Sequence, residues 1–79
     1  MNERLRGLLA EVFGLKAQNI REDMSRDDVV SWDSLKQMDL VMTLEREYDI
    51  ELELAEIPRM KSVAAILTVL REKGVDVAA

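Results

Sequence analysis

The sequence predicts an all-α bundle of three main helices and one short helix, with a long loop between the first two. Three observations carry that expectation. Apolar residues recur at the 3.6-residue period of a helix in three separate stretches. Each stretch opens on a residue type that caps helices: Asn2, Asp33 and Ser62. The one segment that alternates like a strand, Ile50, Leu52 and Leu54, has no second such segment to pair with.

The first helix follows Asn2. Leu5, Leu8, Leu9, Val12 and Phe13 fall on one helical stripe, and Gly14 supplies a left-handed stop. From Leu15 to Asp33 no helical period holds, and the segment is polar and acidic. Its spaced hydrophobes, Leu15, Ile20, Met24, Val29 and Val30, read as plugs that pin a long loop across the bundle. The second helix is expected from Ser34 to Tyr48, with Asp33 as its N-cap. Leu40, Val41, Leu44 and Tyr48 form its core stripe. Leu35, Met38 and Met42 form a second apolar strip beside it, more arc than a surface helix needs. A helix buried on two sides favours core for Leu35. For the two methionines an exposed, adaptable contact surface fits at least as well, because methionine suits surfaces that meet several partners. A turn or short helix around Leu54 to Ile57, limited by Pro58, comes next. Ser62 then caps a last helix with Val63, Ile66, Leu67 and Leu70 inward and Gly74 at its end. The whole is one domain, 1–79, with residues 74–79 expected to fray.

Composition narrows the function. With no Cys and no His, the chain lacks the usual zinc ligands, a disulfide framework and the commonest general base, so neither catalytic residues nor a metal site is expected. The mean hydropathy is -0.11 and no apolar run is long enough to span a bilayer. The N-terminus lacks the pattern of a secretory leader, which points to the cytoplasm. A net charge of -5 opposes binding to nucleic-acid phosphates. That charge is segregated. Between Asp33 and Glu56 eight acids face only Lys36 and Arg46, giving -6, whereas the remainder is near neutral. Such bias favours docking to basic partners over a merely solvated face.

The informative junction is Trp32-Asp33-Ser34-Leu35, where the long loop meets the second helix. Asp-Ser before a helix is what capping alone asks for, so the tripeptide by itself is weak evidence. Ser34 has no His or Cys to activate it as a nucleophile of its own. A serine at a helix start is nevertheless a good acceptor, because a phosphodiester there would sit in the positive end of the helix dipole. Trp32 reads first as an anchor for the loop, since large aromatics mostly pack.

Order and spacing beyond the tripeptide resemble the acyl carrier protein family over nearly the whole chain. Asp33-Ser34-Leu35 matches that family's modification motif. The run Asp39-Leu40-Val41-Met42-Thr43-Leu44-Glu45-Arg46-Glu47-Tyr48 resembles its second helix, and Ser62-Val63-Ala64-Ala65-Ile66 the start of its last. The resemblance implies an acyl-carrier-type four-helix bundle that is monomeric and non-catalytic. It implies that Ser34 receives 4′-phosphopantetheine from coenzyme A through a separate phosphopantetheinyl transferase. Asp33 would help hold the divalent ion used in that transfer, besides capping the helix. Asp39, Glu45 and Glu47 would meet basic patches on the transferase and on acyl-loading and acyl-processing enzymes, with Leu35, Met38 and Met42 as the apolar share of the contact. Ser31-Trp32 stands where Gly-Ala is commoner in the family, and Lys36 and Arg46 stand where its housekeeping fatty-acid members tend to be acidic. Those departures imply a specialised bacterial carrier. Fatty acyl, polyketide, aminoacyl or other thioesters would all ride on the same arm. The competing reading is a non-catalytic helical adaptor that is never modified, with Asp33-Ser34 only a cap.

Overall fold

A computed structural model describes residues 1–78 and shows three α-helices: α1 (Glu3–Phe13), α2 (Ser34–Tyr48) and α3 (Val63–Glu72). Short 3₁₀ turns cover Ala17–Asn19, Arg26–Asp28 and Ile57–Arg59, and the described residues contain no strand. Each α-helix opens on its expected cap. Asn2 accepts from the Leu5 amide at 3.0 Å, Asp33 from Lys36 at 2.8 Å, and Ser62 from Ala65 at 3.0 Å. α1 stops at Gly14, whose φ of 68° is the left-handed conformation that a residue without Cβ adopts cheaply.

The core joins Leu5, Leu9, Val12 and Phe13 of α1 to Leu40, Val41 and Leu44 of α2 and to Val63, Ile66, Leu67 and Leu70 of α3. Leu8, at the edge of the α1 stripe, is only half-buried. The long loop is held from both ends. Ile20, Met24 and Val29 are buried plugs, whereas Val30, expected among them, is fully exposed because the chain turns outward before Trp32. On the α3 side, Ser25 and Ser62 form an isolated bridge, and the Val63 and Ala64 amides donate to the carbonyls of Met24 and Glu22 at 2.9 and 3.1 Å. On the α1 side, the Ser31 hydroxyl donates to the Phe13 carbonyl at 3.0 Å.

The short helix begins where the sequence placed its end. Residues 54–56 form a turn, and Pro58 sits inside the opening of the Ile57–Arg59 turn, where its missing N–H is no loss. Ion pairs fasten this segment to the end of α3. Lys73 meets Glu56 at 2.7 Å, and Arg59 grips both carboxylate oxygens of Glu72 at 3.0 and 2.9 Å. The Lys73 and Arg59 hydrogen bonds hold the Glu56 and Glu72 carboxyls below their ordinary range.

The expectation of a frayed tail is corrected. Val77 is buried, the Asn2 amide donates to its carbonyl at 2.9 Å, and Asn2 Nδ2 donates to the Asp76 carbonyl at 2.9 Å. One asparagine therefore caps α1 and anchors the returning chain, while Ala79 lies outside the described residues.

Tyr48 closes α2 under the Arg4 guanidinium, which lies 4.5 Å from the ring centre. Its phenolic oxygen is buried with no hydrogen-bond partner among the described residues, and burial pushes its pKa above the ordinary value against the opposing pull of Arg4. Removing an unpaired buried hydroxyl relieves a desolvation penalty. Tyr48→Phe is thus expected to raise stability by about 1 kcal/mol, or roughly 4–8 °C in Tm, by thermal unfolding. A loss of stability would show that the hydroxyl finds a partner.

Candidate functional site

Ser34 is the first residue of α2 and is exposed. The cap beside it is made by Asp33, not by Ser34. The Asp33 carboxylate takes the Lys36 amide and its carbonyl takes the Gln37 amide at 2.8 Å, so the Ser34 hydroxyl has no structural duty in opening the helix. The amides of Ser34 and Leu35 have no intrahelical acceptor, as the first turn of any helix dictates. An anion on Ser34 would meet them together with the positive end of a 15-residue helix.

What holds this junction in place lies just inside it. Trp32 is 3% exposed, and its ring packs on Phe13 with centroids 4.5 Å apart, which makes it the loop anchor. Its indole N–H donates to Gln37 Oε1 at 2.7 Å. Arg26 Nε lies 3.5 Å from the Trp32 carbonyl, adding a second tie from the 3₁₀ turn of the loop. Ser34 therefore protrudes from a packed foundation.

Along α2 the exposed arc starts at Ser34. At about 100° per residue, Met38 and Met42 follow it by one and two turns. Leu35 and Asp39 lie further round the same side. Leu35 is 83% exposed and Met42 62%, with Met38 also exposed. The reading of Leu35 as core is thereby corrected: Leu40, Val41 and Leu44 complete the buried face without it. Asp39 is exposed and pairs one turn back with Lys36 at 3.7 Å.

The other two acids named from the sequence sit differently. Glu45 shares the Ser34 side but is half-buried, and its Oε2 accepts from the Leu52 amide at 2.9 Å, steadying the chain after the helix. Glu47 lies across α2 toward α1, where its carbonyl accepts from Arg4 at 2.6 Å and its carboxylate stands 4.0 Å from the same guanidinium. Leu35, Met38, Asp39 and Met42 thus form one exposed patch beside Ser34, and Glu47 stands apart from it.

Gln37 was not anticipated. It is 6% exposed and hydrogen-bonds through both ends of its amide. The signal was available: Gln37 precedes Leu40, Val41 and Leu44 by three, four and seven residues, so a polar side chain occupies a core position of α2.

The chain resembles known proteins in sequence and in fold. Residues 3–72 match the family model described as "Phosphopantetheine attachment site". The acyl carrier protein of Clostridium acetobutylicum is 30% identical over 69 residues, covering 87% of this chain and 90% of that protein. The acyl carrier protein of Buchnera aphidicola subsp. Acyrthosiphon pisum is 30% identical over 74 residues, covering 94% of this chain and 92% of that one. A solution structure of holo acyl carrier protein from Geobacter metallireducens superposes with a TM-score of 0.79 at 28% identity, over 90% of this chain and 82% of its own.

Proposed function

This chain belongs to the acyl carrier protein family and carries covalently attached 4′-phosphopantetheine, and on that premise we propose that Ser34 is the attachment residue. The observation that carries the assignment is the division of labour at the start of α2. Asp33 closes the helix end, leaving an exposed serine at the first position with two outward amides beside it. Those residues fit a phosphodiester: the helix end supplies the complementary charge and Ser34 the ester oxygen.

Loading forms one bond and breaks another. Ser34 Oγ attacks the pantetheine-side phosphorus of coenzyme A, and the bond to adenosine 3′,5′-bisphosphate breaks, with the electron pair leaving on that fragment. The hydroxyl proton passes to a base of the transferase, since this chain has no His or Cys to take it. Asp33 spends one carboxylate oxygen on the Lys36 amide, and its other oxygen is available to a divalent ion in the loading complex. Once bound, the group supplies a terminal thiol for thioester exchange. The chain itself holds, presents and does not catalyse, acting as a single carrier domain in the cytoplasm.

Leu35, Met38 and Met42 with Asp39 form the docking patch in this reading: apolar contact beside the arm with a carboxylate at its edge for basic partners. Glu45 contributes as a partner contact only through what its bond to Leu52 leaves over, and Glu47 through a separate flank. Electrostatics of this kind speeds encounter more than it tightens the complex, which suits a carrier that must let go. The mixture of Lys36 and Arg46 with these acids supports a specialised carrier with few partners.

Wild-type protein incubated with a broad-specificity transferase, coenzyme A and magnesium should gain a single phosphopantetheine by intact mass. No gain, under conditions in which a control carrier is modified, would sink the proposal.

A further inference from the structure

We propose that the groove between α1 and α2 is a socket for one basic side chain, an arginine or lysine, of the phosphopantetheinyl transferase that loads Ser34. The proposal rests on Ser34 as the attachment residue and extends the transferase contact from the α2 patch to α1. The two helices run antiparallel: Arg4 near the start of α1 reaches Glu47 near the end of α2, and Phe13 at the close of α1 meets Trp32 just before α2 opens. Between them lies a groove of about 210 Å³, smaller than the roughly 300–1,000 Å³ of small-molecule sites and suited to a single side chain. Glu11 lines it from α1, and Asp39 and Glu47 from α2. Arg46 is the one cation among the lining residues, so three carboxylates face one guanidinium and leave a charge of -2. These carboxylates are loosely held. Asp39 lies 3.7 Å from Lys36 and Glu47 4.0 Å from Arg4, both longer than a direct charged hydrogen bond, and Glu11 has no ion-pair partner among the described residues.

A buried hydroxyl points to the same ligand. Thr43 lines the groove at 9% exposure, yet its hydroxyl has no hydrogen-bond partner among the described residues. By contrast, the Thr68 hydroxyl of α3 donates to the Ala64 carbonyl one turn back at 3.1 Å. The Thr43 oxygen is therefore free to accept from an N–H that enters the groove. Beside it Val12 is buried and Leu8 half-buried, and they give apolar cover to the methylene stem of a long basic side chain. Exposed carboxylates at the rim, an acceptor within and an apolar wall match both the head and the stem of arginine or lysine. An anion would meet the wrong charge. The groove is also in the right place. Asp39 lines a second hollow with Ser31, Asp33, Leu35 and Lys36 beside Ser34, so the two concavities meet at that residue. The transferase has to bring a phosphorus to Ser34 Oγ itself, whereas enzymes that act on cargo meet the far end of a long arm. It is the partner whose contact must lie close around Ser34.

The test compares wild type, Glu11→Gln, Thr43→Val and Glu3→Gln as substrates of the broad-specificity transferase with coenzyme A and magnesium. Glu3 is an exposed acid at the other end of α1, outside the groove, and controls for net charge. Glu11→Gln should raise KM about fivefold to tenfold at low salt with kcat unchanged, Thr43→Val about threefold, and Glu3→Gln should stay at the wild-type value. The Glu11→Gln difference should narrow in about 1 M sodium chloride, where the screening length is about 3 Å. Thermal unfolding should leave Glu11→Gln within about 4 °C of wild type, and Thr43→Val no less stable, since its hydroxyl has no bond to lose. Equal changes in Glu11→Gln and Glu3→Gln would reduce the effect to net charge and overturn the socket. Glu11→Gln and Thr43→Val both at the wild-type KM would overturn it too. Millimolar magnesium or calcium that raises the wild-type Tm but not that of Glu11→Gln would overturn it in favour of a divalent cation in the groove. A wild-type protein that gains no phosphopantetheine would overturn the Ser34 reading along with it.

Discussion

Gln37→Leu is expected to unfold roughly 10–20 °C below the wild type, the equivalent of about 2–3 kcal/mol in a domain of this size. Leucine is close to glutamine in volume and suits a core position of α2, so the substitution creates little cavity. On pattern alone it looks favourable. The loss comes from what remains behind. Trp32 Nε1, which donated to Gln37, is left buried and unpaired, and the Met60 carbonyl loses its donor. The Ile57 carbonyl is only partly buried and keeps the Met60 amide as a donor at 3.2 Å. Gln37→Glu should be no better near neutral pH. It keeps an acceptor for the indole but sets a buried carboxylate against two carbonyls. Thermal unfolding of both variants measures the cost, and a Gln37→Leu protein as stable as wild type would show that the cluster contributes nothing net.

Met42→Glu should separate folding from docking. At 62% exposure Met42 belongs to the surface, and surface substitutions stay within roughly 0.5 kcal/mol, or about 4 °C here. The same change places a charge in the exposed apolar strip that follows Ser34. If transferase and partner enzymes read that strip, kcat/KM for phosphopantetheinylation should fall about tenfold or more, the scale of a lost contact at an interface centre. Unfolding and modification rate are measured on the same sample. A folded variant modified at the wild-type rate would take Met42 out of the transferase contact.

The sequence made some elements legible and hid others for physical reasons. The helices could be read because capping and periodicity are local: Asn2, Asp33 and Ser62 each do at their own helix what a capping residue does anywhere. The junction at Ser34 was legible for the same reason. Exposure was harder to read, because it depends on what packs opposite. Leu35 and Val30 look like core in a hydrophobicity pattern, yet Leu35 is turned to solvent because Leu40, Val41 and Leu44 already complete the buried face, and Val30 because the chain turns outward before Trp32. Charge pattern likewise showed an acidic segment without showing how it is used. Asp39, Glu45, Glu47 and Glu56 each have a partner within the fold, so the segment is less of an open field than its composition implies. The least legible features were long-range. That Gln37 would meet the carbonyls of Ile57 and Met60, or Asn2 the tail at Asp76 and Val77, follows from no local rule.

The carrier assignment turns on Ser34 carrying the arm while Asp33 carries the helix cap. Ser34→Ala tests both halves at once, by intact mass after incubation with transferase, coenzyme A and magnesium and by circular dichroism on the same preparation. The expected outcome is no mass gain at essentially wild-type helicity, because the Asp33–Lys36 cap does not involve the serine hydroxyl. Modification that persists in the folded Ser34→Ala protein would contradict this assignment and place the attachment residue elsewhere on the chain.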